Sequence, residues 1–254
     1  MKCFRVAAIA TAIVAFSGAA VSAASLQASP VLLEINEKAP SSLVNIRNTG
    51  DKPINVQTRV MRWTQQGGQE SLVEATDVVA SPPIATLQPG ANYSVRIVRT
   101  SKAPVAREEA YRVLVDQLPD PGQRRSGTVA IVLRHSIPVF MLSPSGGVPK
   151  VEWTVSERQG RLVLRATNRG DRRLRLANVS LRLADGREVR FGNGLLGYAL
   201  AGSTVEWSSP ARRRGLAAQR RSPPQRILVP CPNRFGLRRK RCSLEWQRLV
   251  DLSG

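Results

Sequence analysis

Histidine occurs once in these 254 residues, at His135, and cysteine three times, at Cys3, Cys231 and Cys242. The usual structural zinc site takes four such ligands, so this chain is a poor metal holder. A Ser-His-Asp triad would have to be built on His135, and no nucleophile elbow accompanies it. Glu108 and Glu109 are adjacent, and on a strand adjacent side chains point to opposite faces, so they cannot share one substrate. Glycine-rich phosphate loops are missing too. Aromatic residues make up 5% of the chain, and its Arg-rich end carries few of them, which argues against nucleic acid as a partner. What the chain lacks therefore points away from catalysis, metals and cofactors.

Acidic residues are scarce as well: 18 Asp and Glu face 38 Lys and Arg, a formal net charge of +20. The imbalance is uneven. Residues 208–254 hold twelve of the basic residues against Glu245 and Asp251 alone. The other end reads "MKCFRVAAIATAIVAFSGAAVSAAS". Lys2 and Arg5 precede an apolar core from Ala7 to Phe16, and Val21-Ser22-Ala23 offers a small-residue cleavage site, the form of a secretory signal peptide over 1–23. No later run is apolar and long enough to span a bilayer. Export removes Cys3 and leaves Cys231 and Cys242, a pair that outside the cytoplasm favours a disulfide over a metal site.

Strand signals dominate what remains. Val44 and Ile46 alternate with polar residues; so do Ile54, Val56, Thr58 and Val60, then Tyr93, Val95 and Ile97, then Tyr111, Val113 and Val115. Between them stand "QQGGQ", "SPPIATLQPG" and "LPDPGQRRSG", all rich in turn residues. The stretch "SPSGGVP" at 143–149 marks a domain boundary. Beyond it the pattern restarts with Leu162 and Leu164, Leu174 and Leu176, and Val179, Leu181 and Leu183. The expectation is an all-β chain of two sandwiches, residues 24–144 and 145–207. The basic tail, 208–254, breaks the pattern. Its composition suits disorder, "RILVPCPNRFGLRRKRCSLEW" suits a hairpin closed by Cys231–Cys242, and a reading-frame change in an Arg-rich coding sequence would explain it equally.

One segment stands out. "SGTVAIVLRHSIPVF" (126–140) carries Val129, Ile131, Leu133, Ile137 and Val139 on one face of a strand far longer than the usual five or six residues. Pro138 lacks a ladder donor, which favours an edge position. An exported edge strand is an aggregation hazard unless it is blunted or used to pair with a partner.

Several stretches together, "SPPIATLQPG", "VRI", "REEAYRVLVDQLP" and "LRHSIPVF", with "NRGDRRLRLANV" and "GLLGYALAGSTVEW" further on, resemble the PapD-like periplasmic pilus chaperones. "YRVLV" and "SIPVF" are similar to the archaic Csu-type branch that serves spore-coat-U-like pilins. The resemblance implies two immunoglobulin-like β-sandwich domains in a boomerang. It also implies a periplasmic chaperone that lends a first-domain strand to a pilus subunit and then yields the subunit to an outer-membrane usher, without enzyme activity or cofactor. Val129, Ile131 and Leu133 would fill the subunit's groove. The subunit's terminal carboxylate would need a cation. Pro30 and Pro138 stand where the best-known family pattern has its anchoring Arg and Lys, which leaves Arg112, off the core face of its strand, and Arg134 as candidates. Arg107-Glu108 would orient the two domains. The free protein could cap its own strand by dimerising. The competing expectation is a secreted immunoglobulin-like structural or adhesive protein whose long strand is merely core.

Overall fold

A computed structural model describes residues 26–119, 132–183 and 186–210, with the backbone of two further strands at 226–230 and 241–245. Among them every regular element is a strand. The first ten are β1 (Leu26–Ser29), β2 (Leu33–Ile35), β3 (Ser41–Asn48), β4 (Ile54–Gln66), β5 (Gln69–Glu74), β6 (Val78–Ser81), β7 (Ile84–Leu87), β8 (Asn92–Arg99), β9 (Glu109–Leu118) and β10 (Arg134–Met141). They form two sheets, β1-β3-β8-β6 and β2-β10-β9-β4-β5, with β7 also on β4.

The period-two pattern decides which side chains meet between the sheets. Ile54, Val56 and Val60 of β4, Tyr111, Val113 and Val115 of β9, and Ile137, Val139 and Met141 of β10 share one core with Val44, Ile46, Val95 and Ile97 from the facing sheet. Each such aliphatic side chain removed from water contributes about 1.5–3 kcal/mol. The long β4 ends in a two-residue hairpin, Gly67-Gly68, with φ of 59° and 86°. Both values suit glycine and a turn of the hand that matches strand twist.

The second domain holds β11 (Val151–Arg158), β12 (Arg161–Asn168), β13 (Leu174–Ala177), β14 (Ser180–Arg182), β15 (Glu188–Arg190), β16 (Leu195–Ala199), β17 (Thr204–Ser208), β18 (Arg226–Pro230) and β19 (Arg241–Glu245). Its sheets are β11-β12-β17, β13-β16 and β15-β14-β18-β19. A separate core gathers Trp153, Leu164, Ala166, Leu176, Leu181 and Val205. The "SPSGGVP" stretch lies between β10 and β11, between the two cores. Two segments of the basic tail are strands: β18 pairs antiparallel with β14, and β19 with β18, which sets Cys242 opposite Val229. Cys231 lies outside the described residues.

Aromatic, hydrogen-bonded and charged contacts join the domains. Trp63, Phe140 and Tyr198 form an aromatic cluster with centroids 5.5–6.1 Å apart. Gln65 donates from Nε2 to the Tyr198 carbonyl at 2.7 Å and accepts the Leu200 N–H at 2.9 Å. Glu108 accepts from the Arg173 guanidinium at 2.5 Å and from its backbone N–H at 2.9 Å, while Arg173 also reaches Glu34. Arg107 pairs with Asp171 at 3.1 Å. Burial pushes the Glu108 carboxyl above the usual range, against the pull of Arg173 and Arg172.

Candidate functional site: the free edge of β10 and the floor beside it

Strand β10 changes neighbours halfway along. On one side it pairs with β9 from Arg134↔Asp116 to Met141↔Glu109. On the other, β2 runs parallel to it and covers only Val139, Phe140 and Met141. From Arg134 to Pro138 that second side has no strand partner among the described residues. Pro138 thus stands where the cover ends, on a stretch where its missing N–H costs no ladder bond on the open side. The ladder to β9 continues past the named strand, since Gln117 donates to the Leu133 carbonyl at 2.9 Å.

Side chains alternate strictly along this edge. Ile137, Val139 and Met141 are in the core, and Leu133, half-buried, packs against the same cluster. His135 shares that face, with Nε2 2.8 Å from the Leu26 carbonyl oxygen. It is a packed side chain. Val129 and Ile131 lie outside the described residues. The opposite face carries Arg134, Ser136, Pro138 and Phe140, and beside them Asp116, Leu114, Arg112 and Ala110 of β9 and Arg59, Met61 and Trp63 of β4.

Alternation also separates the adjacent pair Tyr111-Arg112. Tyr111 is wholly buried in the core, with its hydroxyl donating to Asp77 at 2.7 Å and accepting from Arg62 at 2.7 Å. Arg112 points the other way. Its guanidinium lies over the Trp63 ring, 4.0 Å from the centroid. No carboxylate of the described residues comes within ion-pair distance of it. Burial lowers its pKa, with Glu70 and Tyr198 pulling the other way. The result is a half-buried positive charge held by an aromatic face, with its hydrogen-bond donors uncommitted to an acid.

Arg134 is differently placed. Its Nε and Nη2 both donate to Asp116, the latter at 3.2 Å, and Arg59 reaches the same carboxylate at 2.7 Å. Burial pushes Asp116 up, but the hydrogen bonds and charges of Arg134 and Arg59 outweigh it and hold the carboxyl below its usual range. Glu108 and Glu109 diverge as adjacent strand residues must: Glu108 reaches the second domain, and Glu109 turns to Arg99 and the Tyr111 hydroxyl.

Sequence reasoning missed Trp63, Asp116, Arg59 and Glu34. The partners lie between 18 and 139 residues apart, and only the strand register brings them together. "VLVDQL" held one signal, an acid interrupting a buried strand.

A two-sandwich chain whose first domain ends in a strand with a half-open edge has the architecture of the PapD-like pilus chaperones. Residues 25–147 match the family described as pili and flagellar-assembly chaperone, PapD N-terminal domain. Among solved structures, the chain is similar to the chaperone–tip subunit pre-assembly complex of the archaic chaperone-usher Csu pili of Acinetobacter baumannii. That match has 25% identity and a TM-score of 0.61, covering 82% of this chain and 93% of that one. The Escherichia coli chaperone DraB shares the fold at 22% identity and a TM-score of 0.57, over 88% of this chain and 97% of that one. The uncharacterized fimbrial chaperone YhcA of Escherichia coli K12 is 23% identical over 126 residues, 50% of this chain and 53% of that protein. The chain spans about half the length of this curated relative.

Proposed function

We propose that the chain is a periplasmic chaperone that holds pilus subunits by donating the edge of β10 and the segment before it. The observation that carries this reading is the coincidence of an open strand edge, Arg134–Pro138, with the acid-free cation Arg112 beside it. An added strand takes its affinity from backbone hydrogen bonds and its specificity from alternate side chains. Val129, Ile131 and Leu133 enter the subunit's unfinished core; three such side chains contribute very roughly 5–8 kcal/mol before ordering costs. Arg112 receives the subunit's terminal carboxylate. The subunits are of the spore-coat-U-like type, and the complex is delivered to an outer-membrane usher. Nothing in this exchange needs catalysis or a cofactor. Release follows because the final subunit–subunit pairing is the more stable one. The domains run over 24–144 and from 145 onward, after a signal peptide over 1–23.

The reading of a structural or adhesive protein draws on one observation, the packing of Leu133 against the chain's own core. Co-expression of the full chain with a spore-coat-U-type pilin in a bacterial periplasm separates the two. Recovery of a stoichiometric, soluble chaperone–pilin complex is the expected result. A pilin degraded equally with and without the chain overturns the chaperone reading.

A further inference from the structure

The open edge and the anchoring cation together fix how a guest strand lies, and so which of its side chains meets the second charged group on this face. This step rests on the chaperone reading. A strand whose terminal carboxylate sits at Arg112 must end near Pro138, the residue paired with Arg112 across β9–β10. Beyond Pro138 the edge is occupied by β2, so the guest enters from the Arg134 end and runs parallel to β10. Its last residues then pass Arg134, Ser136 and Pro138 in that order. On the face that carries Arg112 the guest passes an exposed cation at Arg134, an exposed neutral hydroxyl at Ser136 and then the buried Pro138.

The Arg134 end is the charged one. Arg134 and Arg59 share a single carboxylate, Asp116, so the group keeps one net positive charge. Asp116 is 10% exposed in its side chain and Arg134 60%. The acid is therefore sequestered while the cation faces outward, and the Arg134 Nη1 makes no hydrogen bond among the described residues. The Nε of Arg59 is buried without a partner, a further sign that the group as it stands has more donors than acceptors. Two hydrogen bonds to Asp116 hold the Arg134 side chain in one orientation before any guest arrives.

We infer that the Arg59–Asp116–Arg134 cluster is a specificity device that reads charge on the guest strand: it favours an acidic side chain some four residues before the terminal carboxylate and rejects a basic one. The spacing follows from the register, because Arg134 is four residues from Pro138 on the same face. Ser136, midway, carries no charge and discriminates little.

The test uses the full chain co-expressed with a spore-coat-U-type pilin whose second to sixth residues before the C terminus are set singly to Glu or Lys. Captured pilin is measured at equal expression. Directly opposed charges across strands change pairing by roughly two- to fivefold each way. The expected preference for Glu over Lys is therefore about three- to thirtyfold, concentrated around the fourth position. Arg134→Gln should flatten the preference, and Arg134→Glu, where its melting temperature shows it folded, should reverse it. Arg112→Ala should lower capture of all the pilin variants by a common factor. A charge preference that is absent, or that persists unchanged in Arg134→Gln, overturns the inference while leaving the chaperone reading intact. Failure of the unmodified chain to capture even the unmodified pilin overturns both.

Discussion

A guanidinium held by an aromatic face keeps its N–H donors available, whereas one held by a carboxylate has spent two of them. Arg112 and Arg134 are the two cases side by side on one sheet face. Stripping Arg112 from the proposed contact leaves a carboxylate in a half-dry recess, and losing one charge-assisted hydrogen bond costs about 1.5–3 kcal/mol. Arg112→Ala should therefore reduce pilin capture roughly ten- to a hundredfold, with little change in melting temperature. Arg112→Lys should recover part of it, keeping the charge but losing the planar fork and its stacking on Trp63. Capture undiminished in Arg112→Ala, but lost in Arg134→Ala, would move the anchor to Arg134. Asp116 gives a prediction in pH. Its folded pKa lies below the unfolded value, so its contribution to stability is complete above the unfolded value and is lost as pH falls through the folded one. Between pH 6 and about 3, the urea midpoint of the wild type should fall more steeply than that of Asp116→Asn. Parallel curves would show that the two arginines do not stabilise this carboxylate.

Along β10 one face of one strand serves two purposes, and the same substitution should distinguish them. Ile137 is 4% exposed and sits among Val113, Val139 and Met141. Ile137→Asp buries an unpaired charge and should unfold the first domain. Ile131, six residues earlier on the same alternation, is proposed to face the subunit, so Ile131→Asp should leave a folded chain that recovers no pilin. Circular dichroism on both, beside the co-purification assay, checks the pair. An unfolded Ile131→Asp would place that residue in the chain's own core and remove it from the donor set. The alternation itself was legible before any coordinates: Ile54, Val56, Val60, Val95, Ile97, Val113 and Val115 all lie where a period of two puts them. Arg112 was legible for the same reason, as the residue turned away from Tyr111. Its indole partner and the Asp116 cluster were not. A cross-strand neighbour depends on register, which hairpins and bulges far along the chain determine, and no local pattern encodes which strand β9 will lie beside. The extent of β10's open edge was hidden likewise, because it depends on where the short β2 begins.

At the scale of the molecule the question is what keeps the second domain folded while the first presents its edge. The junction joins them through a buried acid–arginine pair, an aromatic cluster and the glutamine bridge at Gln65, and much of it lies on the sheet face that also carries Arg112. Trp63 belongs to both the junction and the cation site. The second domain's own completeness turns on the basic tail. Strand β14 is three residues long and has β15 and β18 as its two neighbours, and Leu181 within it is 1% exposed. A chain ending at Ser209 would lose β18 and β19, leaving the middle strand of that sheet paired only to the three-residue β15. A two-strand remnant of this length is marginal in water. The truncated chain should therefore show a low-temperature transition absent from the full chain, and trypsin should cut it at Arg175, Arg182 and Arg190 before it cuts Arg59 or Arg96 in the first domain. In the full chain, digested without reductant, a peptide pair joined through Cys231 and Cys242 would show that the hairpin is closed covalently as well as by its ladder. Equal protease resistance of the second domain with and without residues 210–254 would mean that the tail adds nothing to the fold, as expected of a sequence read in an altered frame.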